Sequence, residues 1–265
     1  MSLDLLLFVI LAAKMAATAT LVVAASFLAE RSGPAIAASI ITLPVSAGPA
    51  YVILAIEHDA AFVAGSALGT MVGNAAGLVF IVVYALLAQR RSLVVSLASA
   101  IVAWSVLAVL FHWIAWTFPA AIMLNVAAFM LAAVATRRLE RHAGPPGPTI
   151  RRWYDLPFRA AIVATLVVTV TTLSTLIGPL FTGVLAIFPI ALTSMALILH
   201  PRIGGVAAGT LLADAPVPLI GFVFSTALVH LTAQSWGVWP ALGAALVAGM
   251  AWNFAVWKMR QRVRT

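Results

Sequence analysis

Long apolar runs alternate with short polar clusters along the whole chain. The runs predict nine membrane-spanning segments, at 4–29, 33–56, 60–88, 92–111, 114–136, 155–177, 179–199, 204–231 and 237–257. Segments of about 20 apolar residues can cross a hydrocarbon core of about 30 Å at about 1.5 Å per residue. The two-residue alternation of a barrel strand is missing, so all nine read as helices. The start, Met1-Ser2-Leu3-Asp4, carries no basic region, and its apolar run outlasts a signal peptide; it reads as a retained first span.

The loops between these spans sort by charge. One side would hold Arg31, Arg90, Arg91, Arg137, Arg138, Arg141, Arg151, Arg152, Arg202, Lys258, Arg260, Arg262 and Arg264. The other would hold Glu57, His58, Asp59, His112 and the Gln234-Ser235-Trp236 turn, with no Lys or Arg. Basic loops stay in the cytoplasm. The expected topology is therefore multi-pass in a bacterial inner membrane, N-terminus outside and C-terminus cytoplasmic. The net charge of +8 reflects this topology and not a nucleic-acid partner.

The chain also repeats itself. Residues 14–44 align with 159–189 at a constant offset of 145, pairing Thr20-Leu21-Val22-Val23 with Thr165-Leu166-Val167-Val168, Gly33-Pro34 with Gly178-Pro179, and Pro44 with Pro189. Lys14 meets Arg159. At offset 140, Gly65, Gly69-Thr70 and Asn74 meet Gly205, Gly209-Thr210 and Asp214. With nine spans the two copies run in opposite directions. The expected fold is all-α: two inverted four-helix repeats, spans 1–4 and 6–9, joined by a connector helix. It forms a single domain over 1–265, with repeat 1 at 1–111, connector and linker at 112–153, and repeat 2 at 154–265. This shape resembles inverted-repeat secondary transporters in general, which implies alternating access and a site between the repeats. A duplication kept only for packing is the competing reading.

Proline and glycine mark where spans should break. Pro44-Val45-Ser46-Ala47-Gly48-Pro49 interrupts the second span, and Pro189, followed by Thr193-Ser194, lies at the matching depth of the seventh. A break exposes backbone N–H groups at the positive end of a half-helix, where anionic substrate groups bind in transporters. Thr42, Ser46, Gly48, Pro49, Thr193 and Ser194 are the candidate substrate contacts. A healed kink serving packing alone is the alternative. Gly65, Gly69, Gly73 and Gly77 fall every four residues, the pattern of close helix packing. Pro216 and Pro218 should bend or break the eighth span just after Asp214.

Ionisable residues inside the apolar region are costly, by about 3 kcal/mol on insertion scales. Asp214 is the candidate proton carrier, with Asn74 at its position in the first copy; a neutral Asp capping the break is the alternative. Lys14, about ten residues into its span, either pairs with Asp214 or holds an anion. Arg159, His58 and His200 are candidate gating or secondary groups, and solvated caps otherwise. Asn125 and Asn253 suit interhelical hydrogen bonds. Trp104, Trp113, Trp116, Trp236, Trp239 and Trp257 suit an interfacial belt.

Composition closes other classes. At 64% apolar and 8% charged the chain is no soluble domain, and without cysteine it has no disulfide or thiolate chemistry. No P-loop, His-Glu-x-x-His or Gly-x-Ser-x-Gly motif is present, so neither an enzyme nor a cofactor or metal is expected. The reading is a proton-coupled secondary transporter for a small organic anion. A flippase for an anionic lipid or polyprenyl phosphate and a non-transporting membrane subunit are the alternatives. Expected partners are that anion with a proton, or a lipid, and the surrounding membrane lipids. Pairing into a homodimer is left open.

Overall fold

The computed structural model describes residues 9, 11–20, 23–24, 47–137, 139 and 155–262. They form helices only: α1 (11–20), α2 (Ala47–Glu57), α3 (Ala60–Ala88), α4 (Leu93–His112), α5 (Phe118–Thr136), α6 (Asp155–Ala186), α7 (Ile190–Ile203), α8 (Gly205–Ala213), α9 (Pro216–Trp236) and α10 (Val238–Arg262). Six apolar helical stretches among the described residues are long enough to cross a bilayer: Ala60–Ala88, Leu93–His112, Phe118–Thr136, Ala160–Ile203, Gly205–Trp236 and Val238–Met259. The protein is an all-α, multi-pass membrane protein.

Side chains and glycines set the helix limits. Asp59 caps α3 by accepting from the Phe62 N–H at 2.8 Å, and Thr117 caps α5 ahead of Pro119. Gly178, Gly204 and Gly237 sit at φ of 74°, 83° and 88°, in the left-handed region that glycine adopts without a Cβ clash. Each lies where one apolar segment ends and the next begins.

Gly178 has the largest consequence. Residues 160–203 form one apolar stretch 44 residues long, about 66 Å if straight and twice a hydrocarbon core. The chain turns back instead. Ser174 meets His58, at the start of α3. Beyond Gly178-Pro179, Pro179 lies by Gly65, Leu180 by Gly69, and Val184 and Ile187 by Gly73. The segment 179–187 therefore runs parallel to α3, away from the His58 end. Helix α7 continues that course and brings His200 to Tyr84. The expected break near Pro189 is present: residues 187–189 leave the helix beside Gly73, halfway along α3.

The expected interruption after Asp214 is also present. Helix α8 ends at Ala213, and Pro216 opens α9. This pair runs back along α3, with Gly205 against the Ala88 carbonyl, Gly209 against Ala85, and the His230 ring 2.8 Å from the Ala64 carbonyl oxygen.

Helix α3 is thus the axis of the bundle, with α4, α5, α6, α8 and α9 packed on it. Its glycines work as expected at three of the four positions. A Cβ on Gly65 would lie 2.9 Å from Pro179, one on Gly73 2.6 Å from Ile187, and one on Gly69 would strike the Leu180 backbone. Gly77 has open space instead and takes no part. Trp104 departs from the interfacial belt. It lies in the middle of α4, 3% exposed, with its ring edge-to-face on Phe188 at 4.9 Å. Spacing from a loop sets depth, but the helix face that a residue occupies decides whether it meets lipid or core.

Candidate functional site

Helix α2 and the 187–189 break meet beside the middle of α3. Helix α2, described from Ala47 onward, places Ala47 in one apolar cluster with Ile187 and Phe222. Ala50 and Ile53, further along α2, pack with Ala186 and Ile190, the residues flanking the 187–189 break. Residues 47–53 of α2 therefore lie near the start of α7 at the break. At the break itself, Ile190 N–H reaches the Phe188 carbonyl at 2.6 Å and Thr193 N–H the Pro189 carbonyl at 2.8 Å.

A helix ending inside a membrane leaves carbonyls that need donors. One of them, on Gly183, is answered from α3. The Thr70 hydroxyl donates to it at 2.9 Å, and the Tyr51 hydroxyl lies 2.8 Å from Thr70 Oγ1. Because Thr70 has a single proton and a carbonyl can only accept, Tyr51 donates to Thr70. This relay ties α2, α3 and the end of the 179–186 half-helix together. Sequence reading missed it. The signal was available: Tyr51 is one of only three tyrosines in the chain, and a buried tyrosine hydroxyl needs a partner.

Lower on α3, Asn74 is 1% exposed and donates to Asn125 Oδ1 at 2.9 Å. Asn125 donates both amide hydrogens, to Met71 and Ala121 carbonyls, each at 2.8 Å. The expected interhelical role of Asn125 is therefore met. Its partner is incomplete. Asn74 Oδ1, Trp104 Nε1 and Thr193 Oγ1 are buried without a hydrogen-bond partner among the described residues. Such an atom costs about 1–3 kcal/mol until water or a ligand answers it. Trp104 borders the break through Phe188, Asn74 follows Gly73 on α3, and Thr193 lies one turn into α7.

The remaining sequence candidates distribute as follows. Pro49 is buried in α2, and Gly48 beside it is exposed. Ser194 is buried and donates to the Ala191 carbonyl at 2.9 Å. Thr42 and Ser46 lie outside the described residues, as does the side chain of Arg159. Lys14 pairs with Glu57 at 2.7 Å and lies 3.4 Å from Thr171 Oγ1. Of the two expected uses of Lys14, the pair with Asp214 is not the one formed. The side chain meets a carboxylate at the end of α2 instead, because α1 packs beside that end of the bundle. Asp214 is exposed at the α8–α9 interruption, and its carboxylate has no hydrogen-bond or ion-pair partner among the described residues. Its copy-one counterpart Asn74 is buried, so matched sequence positions do not share an environment here.

Both candidate gating histidines find hydroxyl partners. His58 Nε2 lies 2.7 Å from Ser174 Oγ, and its ring stacks on Phe62 at 3.7 Å. Burial holds its pKa below the usual histidine value, against the opposing pull of Glu57 and Asp59. His200 Nδ1 lies 2.9 Å from the Tyr84 hydroxyl. Comparison of the chain with models of known protein families, with curated proteins and with solved structures finds no match.

Proposed function

We propose that this chain is a proton-coupled secondary transporter for a small organic anion, working by alternating access between inverted repeats. One observation carries the reading: a helix break at 187–189 lies halfway across the bundle, beside α2 and beside buried polar atoms that lack partners among the described residues. A closed packing core has no use for such a place. The start of α7 at mid-depth offers a positive dipole end to an anion, and a break near residues 44–49 would add a second. The matching of Pro44 with Pro189 and of Gly33-Pro34 with Gly178-Pro179 supports an equivalent break in each copy.

In this reading the nine-span topology holds, with the Glu57–His58 end outside. The substrate sits near Gly48, Pro49, Thr193 and Ser194, with Thr42 and Ser46 adding hydroxyls. Lys14 serves as anion partner once the substrate displaces Glu57 from it. Asp214, a carboxylate without a partner among the described residues at a second interruption, carries the proton, and Asn74 supports that path. The chain is a carrier and not an enzyme.

The test is uptake into proteoliposomes across an imposed pH gradient, with a panel of labelled small carboxylates and organic phosphates. Acid outside should drive uptake of at least one of them. Asp214→Asn should abolish the gradient dependence, and Lys14→Ala should weaken apparent affinity. Gradient-driven uptake that survives Asp214→Asn removes the proton role. Solute flow without any gradient response indicates a channel, and scrambling of a labelled anionic lipid indicates a flippase.

A further inference from the structure

We propose that His58 and His200 are reciprocal latches that close opposite ends of the pathway, each by a hydrogen bond to the other half of the chain. His58 lies at the joint between α2 and α3, and its ring reaches Ser174 on α6. His200 lies in the last turn of α7, just before the joint with α8, and its ring reaches Tyr84 on α3. The first bond runs from the first half of the chain to the second, and the second bond returns. His58 directly follows α2 and His200 lies in the last turn of α7, so each sits beside the joint with the next helix.

The surroundings of the two bonds suit this role. At the first end the latch is reinforced by Lys14, which bridges Glu57 at 2.7 Å and approaches Thr171, one turn before Ser174 on the same face. Ser174 donates its own proton to the Thr171 carbonyl at 2.6 Å, so it accepts from His58, which fixes the neutral ring with its proton on Nε2. At the second end the close approach is set by glycine. A Cβ on Gly205 would strike the Ala88 carbonyl and lie 3.0 Å from the His200 ring. Gln89, next to Ala88, has both amide atoms buried without a partner among the described residues. That leaves an unsatisfied polar group beside a contact which, on opening, would admit water to it. Both hydrogen bonds are present at once in the structure.

The inference rests on the alternating-access reading, but its test needs no substrate. The chain has no cysteine, so single reporters stand alone. Ser66→Cys lies on α3 about two turns from His58, and Ser194→Cys lies on α7 between the break and His200; both native serines are buried. Oriented membrane vesicles would be treated with a membrane-impermeant maleimide from either face. Both reporters should be protected in the parent. His58→Ala or Ser174→Ala should raise labelling of Ser66→Cys from the Glu57 face about fivefold, the ratio set by loss of one hydrogen bond, and leave Ser194→Cys unchanged. His200→Ala or Tyr84→Phe should do the reverse from the other face. His58→Gln keeps a donor and should restore protection, and Tyr84→Phe removes one oxygen with little risk to folding. Unchanged labelling in all four variants overturns the proposal, as does equal labelling of both reporters from both faces. A latch response without any gradient-driven uptake would retain the latches and overturn the carrier reading; uptake without a latch response would do the opposite.

Discussion

Helices α3 and α5 have similar mean hydropathy and opposite surroundings. Across their most apolar 18 residues, α3 is 78% buried and α5 only 17%. The difference lies in what α3 places among its apolar residues. Gly65, Gly69 and Gly73 let the 179–187 segment approach to backbone contact, and Ser66, Thr70 and Asn74, each one position on, turn the adjoining stripe polar. Helix α5 offers one polar side chain, Asn125, to the core and presents Met123, Val126, Met130, Leu131 and Val134 outward. In a bilayer, apolar content places a helix in the membrane but does not bring it to the centre, because lipid is as apolar as leucine. Small residues and hydrogen bonds do that.

The sharpest way to break this contrast is to add side-chain volume to α3. A Cβ at Gly69 already meets the Leu180 backbone, and the rest of a leucine has nowhere to go. Gly69→Leu should destabilise the fold by about 3 kcal/mol or more. The readout is thermal unfolding in detergent, together with the yield of monodisperse protein. The matched change on α5, Val126→Leu at a site 53% exposed, should stay within about 0.5 kcal/mol. Comparable losses at the two sites would remove α3 from the centre of the bundle.

Much of this architecture was legible in the sequence because it depends on local signals. Apolar length gave the six membrane-long stretches of the described residues, Gly178-Pro179 the turn, Pro189 and Pro216 the interruptions, and glycine every fourth residue the packing face. What was not legible depends on how helices meet. Lys14 and Glu57 are 43 residues apart, and no periodicity predicts that α1 would bring them to one end. The depth of Trp104 was readable from α4, but its contact with Phe188 depends on where α4 docks. Asp214 and Asn74 occupy matched positions in the alignment, yet one is exposed and the other buried. A match in sequence position does not carry the surroundings of the residue with it.

A smaller effect tests the polar part of the α3 stripe. Asn125 joins α5 to α3 through the Asn74 amide and the Met71 carbonyl. Asn125→Ala should cost about 1–2 kcal/mol, since it strands Asn74, whose Oδ1 already lacks a partner. Asn74→Ala alone should cost less, because Asn125 keeps its two bonds to carbonyls. The double variant should fall short of the sum of the two single changes, since the Asn74–Asn125 bond is counted in both. Strict additivity by denaturant unfolding would mean that the two amides act separately.

The smallest expected effect is at His58, where the start of α3 meets α6. Burial lowers its pKa from the usual 6.5, so the folded protein binds a proton there less readily than the unfolded chain. The sign follows from linkage. Above about 6.5 the ring is neutral in both states and the contribution is fully present. As pH falls through 6.5 and then through the lowered value, the unfolded chain takes up the proton first, and stability is lost. Glu57 and Asp59 oppose that loss and Lys14 adds to it, so the step should be small. It should appear as a decline in Tm between about pH 7.5 and 5 that His58→Gln makes shallower. Helix α5 has no titratable side chain, so its substitutions should leave the pH profile unchanged. If Tm instead rises on acidification in the parent and falls flat in His58→Gln, the carboxylates outweigh burial. The ring then works as a cation held by Glu57 and Asp59, and acid would tighten the joint between α3 and α6 instead of loosening it.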